Sequence, residues 1–237
     1  MLKVNRISKS FGGIRALSNI SFKVPERAIF GIMGANGAGK TTLFAVIAGN
    51  QLPTSGEVWL NERRLTGLAP HHVASAGVAR TFQIVRPFRG LTVQENIRIA
   101  FSFGSGNRSE ANQLSETDLL SFMGMERFAN YLAGDLTLSQ QKRLEMARAL
   151  ATAPQMLLLD EVMAGLTATE VQDLIEMIRK MRAELGITVM IIEHVMGALM
   201  TLSDQIMVLD HGQKIAEGTP SSIAQNPDVQ SAYLGVA

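Results

Sequence analysis

The chain has no cysteine, one tryptophan and two tyrosines among its 237 residues. The absence of cysteine excludes disulfides and thiolate metal sites and fits a reducing compartment. Neither sign of charge is in excess. Lys and Arg total 22 against 21 Asp and Glu, so no net field draws the chain to nucleic acid or to an acidic partner. The opening residues, Met1 to Arg6, lack the shape of a signal peptide. The most apolar later run, Ile187 to Met200, is interrupted by Glu193 and His194. It falls short of the roughly 20 residues that a bilayer-spanning helix needs. These absences leave a soluble or peripheral protein. Its 46% hydrophobic content against 18% charged permits a partner surface.

What is present is glycine, concentrated where it can act. Gly34, Ala35, Asn36, Gly37, Ala38, Gly39, Lys40 and Thr41 fit the phosphate-loop pattern G-x-x-x-x-G-K-[ST] at every fixed position. The apolar run Ala28 to Met33 before them predicts a buried strand. Thr42 to Ala48 after them predicts a helix stopped by Gly49. In that context the glycines let the backbone wrap a phosphate chain with its N–H groups, and the helix N-terminus adds partial positive charge. Lys40 would reach the terminal phosphates, the Thr41 hydroxyl would ligate Mg²⁺, and Thr42 would close the cradle. A glycine-rich turn that binds nothing accounts poorly for flanks this clear.

Leu2 to Ile7 and Ala16 to Val24 predict strands, with Lys9 to Gly13 a turn that carries Phe11. Glu57 to Leu60 is a short strand after the turn Pro53 to Gly56, and Pro70 to Ala76 a short helix. Gly77 to Phe82 predicts a strand that ends at Gln83. Helical pieces follow at Val93 to Phe101, with Thr92 and Glu95 at capping-box spacing, and at Glu116 to Phe122. Gly104 to Asn112 reads as a solvated linker between them. Ser139 to Ala151 is a helix, Met156 to Leu159 a buried strand, Thr169 to Leu185 a half-buried helix and Ile187 to Ile192 a second buried strand. A hairpin over Gln205 to Ala216 and short helices close the chain. The expectation is one α/β domain with a parallel core sheet over 1–83 and 153–237. A mostly helical lobe over about 84–152 is inserted into it.

Triphosphate chemistry also needs an acid at the end of a neighbouring buried strand. Asp160 supplies it and would hold Mg²⁺ directly or through water. Glu161 beside it is placed to orient or deprotonate the attacking water. Alone, the pair could as well cap the next segment. Gln83 could give its amide oxygen to Mg²⁺ or the water, although a lone glutamine is ordinarily a surface residue. His194 closes a buried strand, where a single histidine is by default a core or cap residue. Phe11 could stack on a base, and on spacing alone it serves equally well as plain core.

Taken in order, Phe11, Gly34 to Thr41, Gln83, the 136–142 stretch, Asp160-Glu161 and His194 resemble an ABC-transporter ATPase subunit over essentially the whole chain. Ala79-Arg-Thr-Phe-Gln83, Leu91 to Asn96, Ile192-Glu-His194, Ile215 to Pro220 and Ala232 to Gly235 are similar to the branch that serves branched-chain amino acid importers. The resemblance implies an antiparallel β part at the N-terminus and a mechanism. Phe11 would stack on adenine, and Lys40 and Thr41 would bind phosphate and Mg²⁺. Gln83 would couple metal to motion, Asp160 would be the second metal residue, Glu161 the catalytic base and His194 the γ-phosphate switch. It implies ATP and Mg²⁺ as ligands and a head-to-tail pair of ATPase subunits, alike or different. It also implies membrane permease subunits facing 84–101, an extracytoplasmic solute-binding protein acting indirectly, and a place on the cytoplasmic face of the membrane. A soluble ATPase acting on nucleic acid or ribosomes, an ATP-gated module and a small-molecule kinase are the alternatives.

The departures from that family cluster. Its signature, L-S-G-G-Q or L-S-Y-G-Q, is here Leu136, Thr137, Leu138, Ser139 and Gln140. Thr137 keeps a hydroxyl for the partner's γ-phosphate. Ser139 puts a Cβ where glycine allows close approach. Val162 stands where the family has Pro, Thr167 where it has Asn or Asp, and Val195 where this branch has Asp. Residues acting on the chain's own nucleotide are intact and those acting on a partner's are altered. The expectation is an asymmetric pair.

Overall fold

A computed structural model describes residues 1–104 and 114–234. The linker read over Gly104 to Asn112 lies, beyond Gly104 itself, outside the described residues.

The core sheet follows from three continuous apolar runs, β3 (Ile29–Met33), β7 (Met156–Asp160) and β8 (Thr188–Ile192), in which every residue is buried. Burial on both faces is what a parallel sheet covered by helices requires. The strand order is β10-β9-β3-β8-β7-β6, with β6 (Val78–Arg80), β9 (Gln205–Asp210) and β10 (Gln213–Gly218) completing it. All neighbours run parallel except β9 and β10.

Side chains divide by the two-residue period of a strand. Phe30, Ile32, Leu158, Met190 and Ile192 enter the core shared with α1 (Lys40–Ile47) and with an antiparallel sheet. That sheet is ordered β2-β1-β4-β5, from β1 (Leu2–Phe11), β2 (Ile14–Val24), β4 (Ser55–Leu60) and β5 (Arg63–Arg64). Leu157, Leu159, Val189 and Ile191 point the other way, into a core formed with several helices. Each such side chain stabilises the fold by roughly 1.5–3 kcal/mol, so a charge at Leu158 would disrupt it.

Those helices are fixed at their starts by side-chain caps. Thr92 and Glu95 form a capping box at α3 (Val93–Phe101), Ser115 and Asp118 at α4 (Glu116–Phe122), and Thr137 and Gln140 at α5 (Leu138–Ala151). Thr167 and Glu170 do the same for α6 (Ala168–Leu185), which ends at the left-handed Gly186. Helices α3 and α4 pack on α5 through Val93, Ile97, Leu119, Met123, Leu144 and Ala147. Short helices α2 (Pro70–Ser75), α7 (Met196–Leu202), α8 (Pro220–Ala224) and α9 (Pro227–Leu234) complete the described elements.

Four expectations need correction. Strand β1 runs on to Phe11, because its pairing with β2 continues to Phe11 and Ile14; only Gly12 and Gly13 turn. The strand predicted over Gly77 to Phe82 is paired only as far as Thr81, whose N–H meets Leu158 O, and Phe82 is already exposed. Helix α5 begins at Leu138 rather than Ser139, since Thr137 is its cap. Helix α7 occupies part of the apolar run after His194 that carried no helix prediction.

Candidate functional site

Parallel strands point their carboxyl ends to one edge of the sheet, and ligand sites of open α/β folds form there. The phosphate loop follows β3, Gln83 follows β6, Asp160 ends β7 with Glu161 just after it, and Glu193 and His194 follow β8. Residues far apart in sequence therefore meet at one mouth.

The loop is braced from below. Gly212 N–H donates to Ala38 O at 3.0 Å, and Ser18 N–H donates to Gly212 O at 2.8 Å. Gly39 caps α1 at φ 102°, and a Cβ there would stand 2.6 Å from Ala16 O. Both conformation and space demand glycine at that position. Lys40 is buried and donates to Gly34 O at 2.7 Å and Ala35 O at 2.9 Å. Burial lowers its pKa, while Glu161 and Asp160 oppose that shift. An ammonium held on exchangeable carbonyls at a helix N-terminus is suited to phosphate.

Glu161 is the centre of the acidic group. Its Oε2 accepts from Gln83 Nε2 at 2.6 Å, and its Oε1 lies 2.7 Å from His194 Nε2. The residue itself sits in the left-handed region, φ 52°, with its N–H bonded to Ile192 O at 2.9 Å. Such a φ is uncommon for a side chain of this kind and marks a backbone held by its surroundings. Asp160 is buried, and its Oδ2 accepts from Arg80 Nη2 at 2.7 Å. Burial raises the Asp160 pKa, against the pull of Arg80.

Asp160 Oδ1 is buried without a hydrogen-bond partner. An orphaned carboxylate oxygen is an acceptor of the kind Mg²⁺ takes, and Thr41 at the start of α1 and Gln83 after β6 bring a hydroxyl and an amide oxygen to the same edge of the sheet. Among the described residues no three His, Asp or Glu side chains are placed to hold a metal by themselves. Phosphate and water would complete the shell of an ion bound here.

The structure thus brings together Lys40, Gln83, Asp160, Glu161 and His194. Phe11 is elsewhere, exposed at the tip of the β1–β2 hairpin with the Lys9 ammonium 4.7 Å from its ring centroid. The 136–140 stretch is also separate and largely self-satisfied. Thr137 N–H donates to Gln140 Oε1 at 2.9 Å, and Thr137 Oγ1 accepts from Gln140 N–H at 3.4 Å. Gln141 Nε2 holds Leu136 O at 2.8 Å, and the Ser139 hydroxyl is near enough to the Glu170 carboxylate to favour its charged form. Leu138 packs on the 164–166 turn, where a Cβ on Gly165 would come within 3.1 Å of it.

Three ionic residues at the site escaped sequence reading: the buried Lys142 and Glu193, and the half-buried Arg80. Lys142 Nζ donates to Ala164 O at 2.6 Å and Glu161 O at 3.2 Å. Glu193 Oε1 accepts from Met163 N–H at 2.8 Å. Burial raises Glu193 to about 7, with Met163 and Lys142 opposing. The one sequence signal for Glu193 is a charge inside an apolar run.

A family model described as "ABC transporter" matches residues 17–164, more than half of the chain and spanning loop, glutamine, signature stretch and acidic pair. The chain belongs to this family. A second model, "Branched-chain amino acid ATP-binding cassette transporter", matches residues 213–237 of the cassette. The high-affinity branched-chain amino acid transport ATP-binding protein BraF of Pseudomonas aeruginosa is 40% identical, covering 100% of this chain and 98% of its own. The corresponding protein LivG of Escherichia coli strain K12 is 38% identical at the same coverage. An ATP-binding cassette of an ABC transporter solved in its ADP conformation superposes with a TM-score of 0.88 at 30% identity, covering 99% and 98% of the two chains. A parallel core sheet, an antiparallel β part and inserted helices are the ABC-type P-loop fold, and the cassette is an ATPase that binds ATP.

Proposed function

We propose that this cassette powers import of branched-chain or related amino acids through a membrane permease, hydrolysing ATP with Mg²⁺ in a head-to-tail pair of ATPase subunits. The observation that carries the reading is Glu161, held between Gln83 and His194 and next to Asp160 at the mouth that the phosphate loop closes. Lys40 exchanges the carbonyls of Gly34 and Ala35 for phosphate oxygens, and the loop N–H groups take the rest. Thr41, Gln83 and Asp160 are the residues that would hold Mg²⁺, which when bound would offset the negative charge of the phosphates. Glu161 takes the proton of the attacking water, His194 orients that water and the γ-phosphate, and Phe11 stacks on adenine.

The permease face is the second element of the reading. Residues 1–83 and 153–237 form the ATP-binding core in this account, and about 84–152 the helical lobe. Between them lies an apolar groove of about 350 Å³, lined by Phe82, Phe88, Ile99, Ala100 and Phe103. Phe88 and Phe103 are 46% and 76% exposed. Buried Asn96 fixes the rim, receiving Phe88 N–H and donating to Phe88 O, Leu91 O and Thr92 O. An apolar groove with a rigid rim suits a short helix from a membrane subunit. Among the described residues no helix is long and apolar enough to cross a membrane itself, which suits a peripheral subunit on the cytoplasmic face.

The altered 136–140 stretch supports asymmetry within the pair. This chain's loop works against another subunit's signature, and its own leaves the partner's site slow. Reconstitution with detergent-extracted permease tests the reading: ATP-dependent leucine uptake that Glu161→Gln abolishes is expected. Copurification with RNA and no membrane protein would point to the soluble alternative.

A further inference from the structure

We propose that Lys142 and Glu193 are a positioning pair that holds Glu161 in its left-handed conformation and fastens it to the helix bearing the 136–140 stretch. The proposal rests on Glu161 being the base. Both residues are almost fully buried, 4% and 3% exposed, and neither is hydrogen-bonded to the side chains of Lys40, Gln83 or Asp160.

Their partners are backbone. Lys142 Nζ takes the carbonyls of Glu161 and Ala164, at 3.2 and 2.6 Å. Glu193 takes the N–H of Met163 at 2.8 Å, and the His194 N–H beside it also favours its charged form. The two charges therefore grip alternate sides of one turn and the foot of the histidine that meets Glu161 Oε1. They attract each other across that turn without forming a direct ion pair. A buried charge pair of this kind is usually no more stabilising than apolar residues of the same volume. What it supplies here is directional: three backbone groups fixed around a residue at φ 52° that side chains disfavour. Lys142 lies one helical turn beyond Leu138 on α5. A displacement of that end of the helix is thereby passed to the Glu161 carbonyl, which makes the pair a physical link between the face for the partner's nucleotide and the chain's own base.

The test uses the full chain with permease and partner ATPase. Lys142→Met keeps the length of the side chain and loses its donors. It should lower kcat at least about tenfold while KM and Kd for ATP stay within about twofold, the pattern of a lost transition-state arrangement. Lys142→Arg, which retains donors, should recover most of the rate. Hydrogen exchange over 161–166 in the isolated chain should be faster in Lys142→Met, with the rest of α5 unchanged. If Lys142→Met fails to fold, Glu193→Met, which loses the acceptor for Met163 N–H, is read in the same way. Unchanged exchange over 161–166, or faster exchange with kcat within about twofold of wild type, overturns the proposal. Absence of hydrolysis by the wild type with any partner would instead refute the proposed function. The exchange measurement would still judge the pair.

Discussion

At the mouth of the core sheet, Gln83, Glu161 and His194 share one hydrogen-bonded array, and beside it Asp160 Oδ1 is left without a partner. At the start of α5 the balance is reversed. Thr137 and Gln140 satisfy each other, Gln141 satisfies Leu136, and Ser139 faces the Glu170 carboxylate. The first region keeps polar capacity for a ligand at a cost in buried, unpaired groups. The second spends its side chains on its own helix and has only spare N–H groups and a hydroxyl proton to offer an incoming phosphate. On the proposed function, a site that does chemistry and a surface that is only presented to another subunit's nucleotide are under different physical constraints. The alterations at Thr137 and Ser139 fall on the surface that carries no chemistry of its own.

Breaking the first region should have the largest effect. Glu161→Gln removes the proton acceptor and keeps the shape, so turnover should fall by about 10²–10⁴-fold. ATP binding, followed by a fluorescent analogue, should persist. Lys40→Ala should weaken ATP binding itself by about 10–100-fold, the loss of a charge-assisted contact, measurable by equilibrium dialysis.

How these two regions read in the sequence differs for the same reason. The phosphate loop and the strand ending in Asp160 are local patterns: glycines at fixed offsets, and apolar runs of strand length. The ionic residues behind them are not. Arg80 meets Asp160 from 80 residues away, and Glu193 meets Met163 across 30, so no window along the chain contains both partners. Phe11 reads as a turn residue in the sequence because the two glycines after it hide how far β1 pairs with β2. The cap at α5 was readable, since Thr137 and Gln140 have capping-box spacing; the resemblance to a phosphate-binding signature drew the same residues to another role.

Smaller effects sharpen the comparison. Restoring the second region with Thr137→Ser and Ser139→Gly together should raise turnover of a reconstituted pair by about 3–10-fold, through better donors to the partner's phosphate. An unchanged rate sinks the asymmetry. The smallest effect is on stability. Burial raises Glu193 from 4.5 to about 7, against Lys142 and with Glu161 adding to it. The folded chain thus holds a proton that the unfolded chain releases. That contribution to stability is full below about pH 4.5 and is lost as pH rises through about 7. Glu193→Gln cannot ionise and keeps an acceptor for Met163. Its melting temperature should therefore gain a few degrees on wild type between about pH 5 and pH 8. Parallel melting curves would exclude the titration.

The central claim, a complete site for the chain's own nucleotide beside a weakened face for a partner's, meets its most direct test in ATP hydrolysis by the purified chain over a wide range of protein concentration. Glu161→Gln serves as the blank. The account predicts ATP binding with turnover close to the blank at every concentration, and a rise when a second ATPase subunit with glycine at the position of Ser139 is added. Specific activity that climbs with concentration and saturates for the chain alone would contradict it, because two copies would then suffice and the 136–140 stretch would work as it stands.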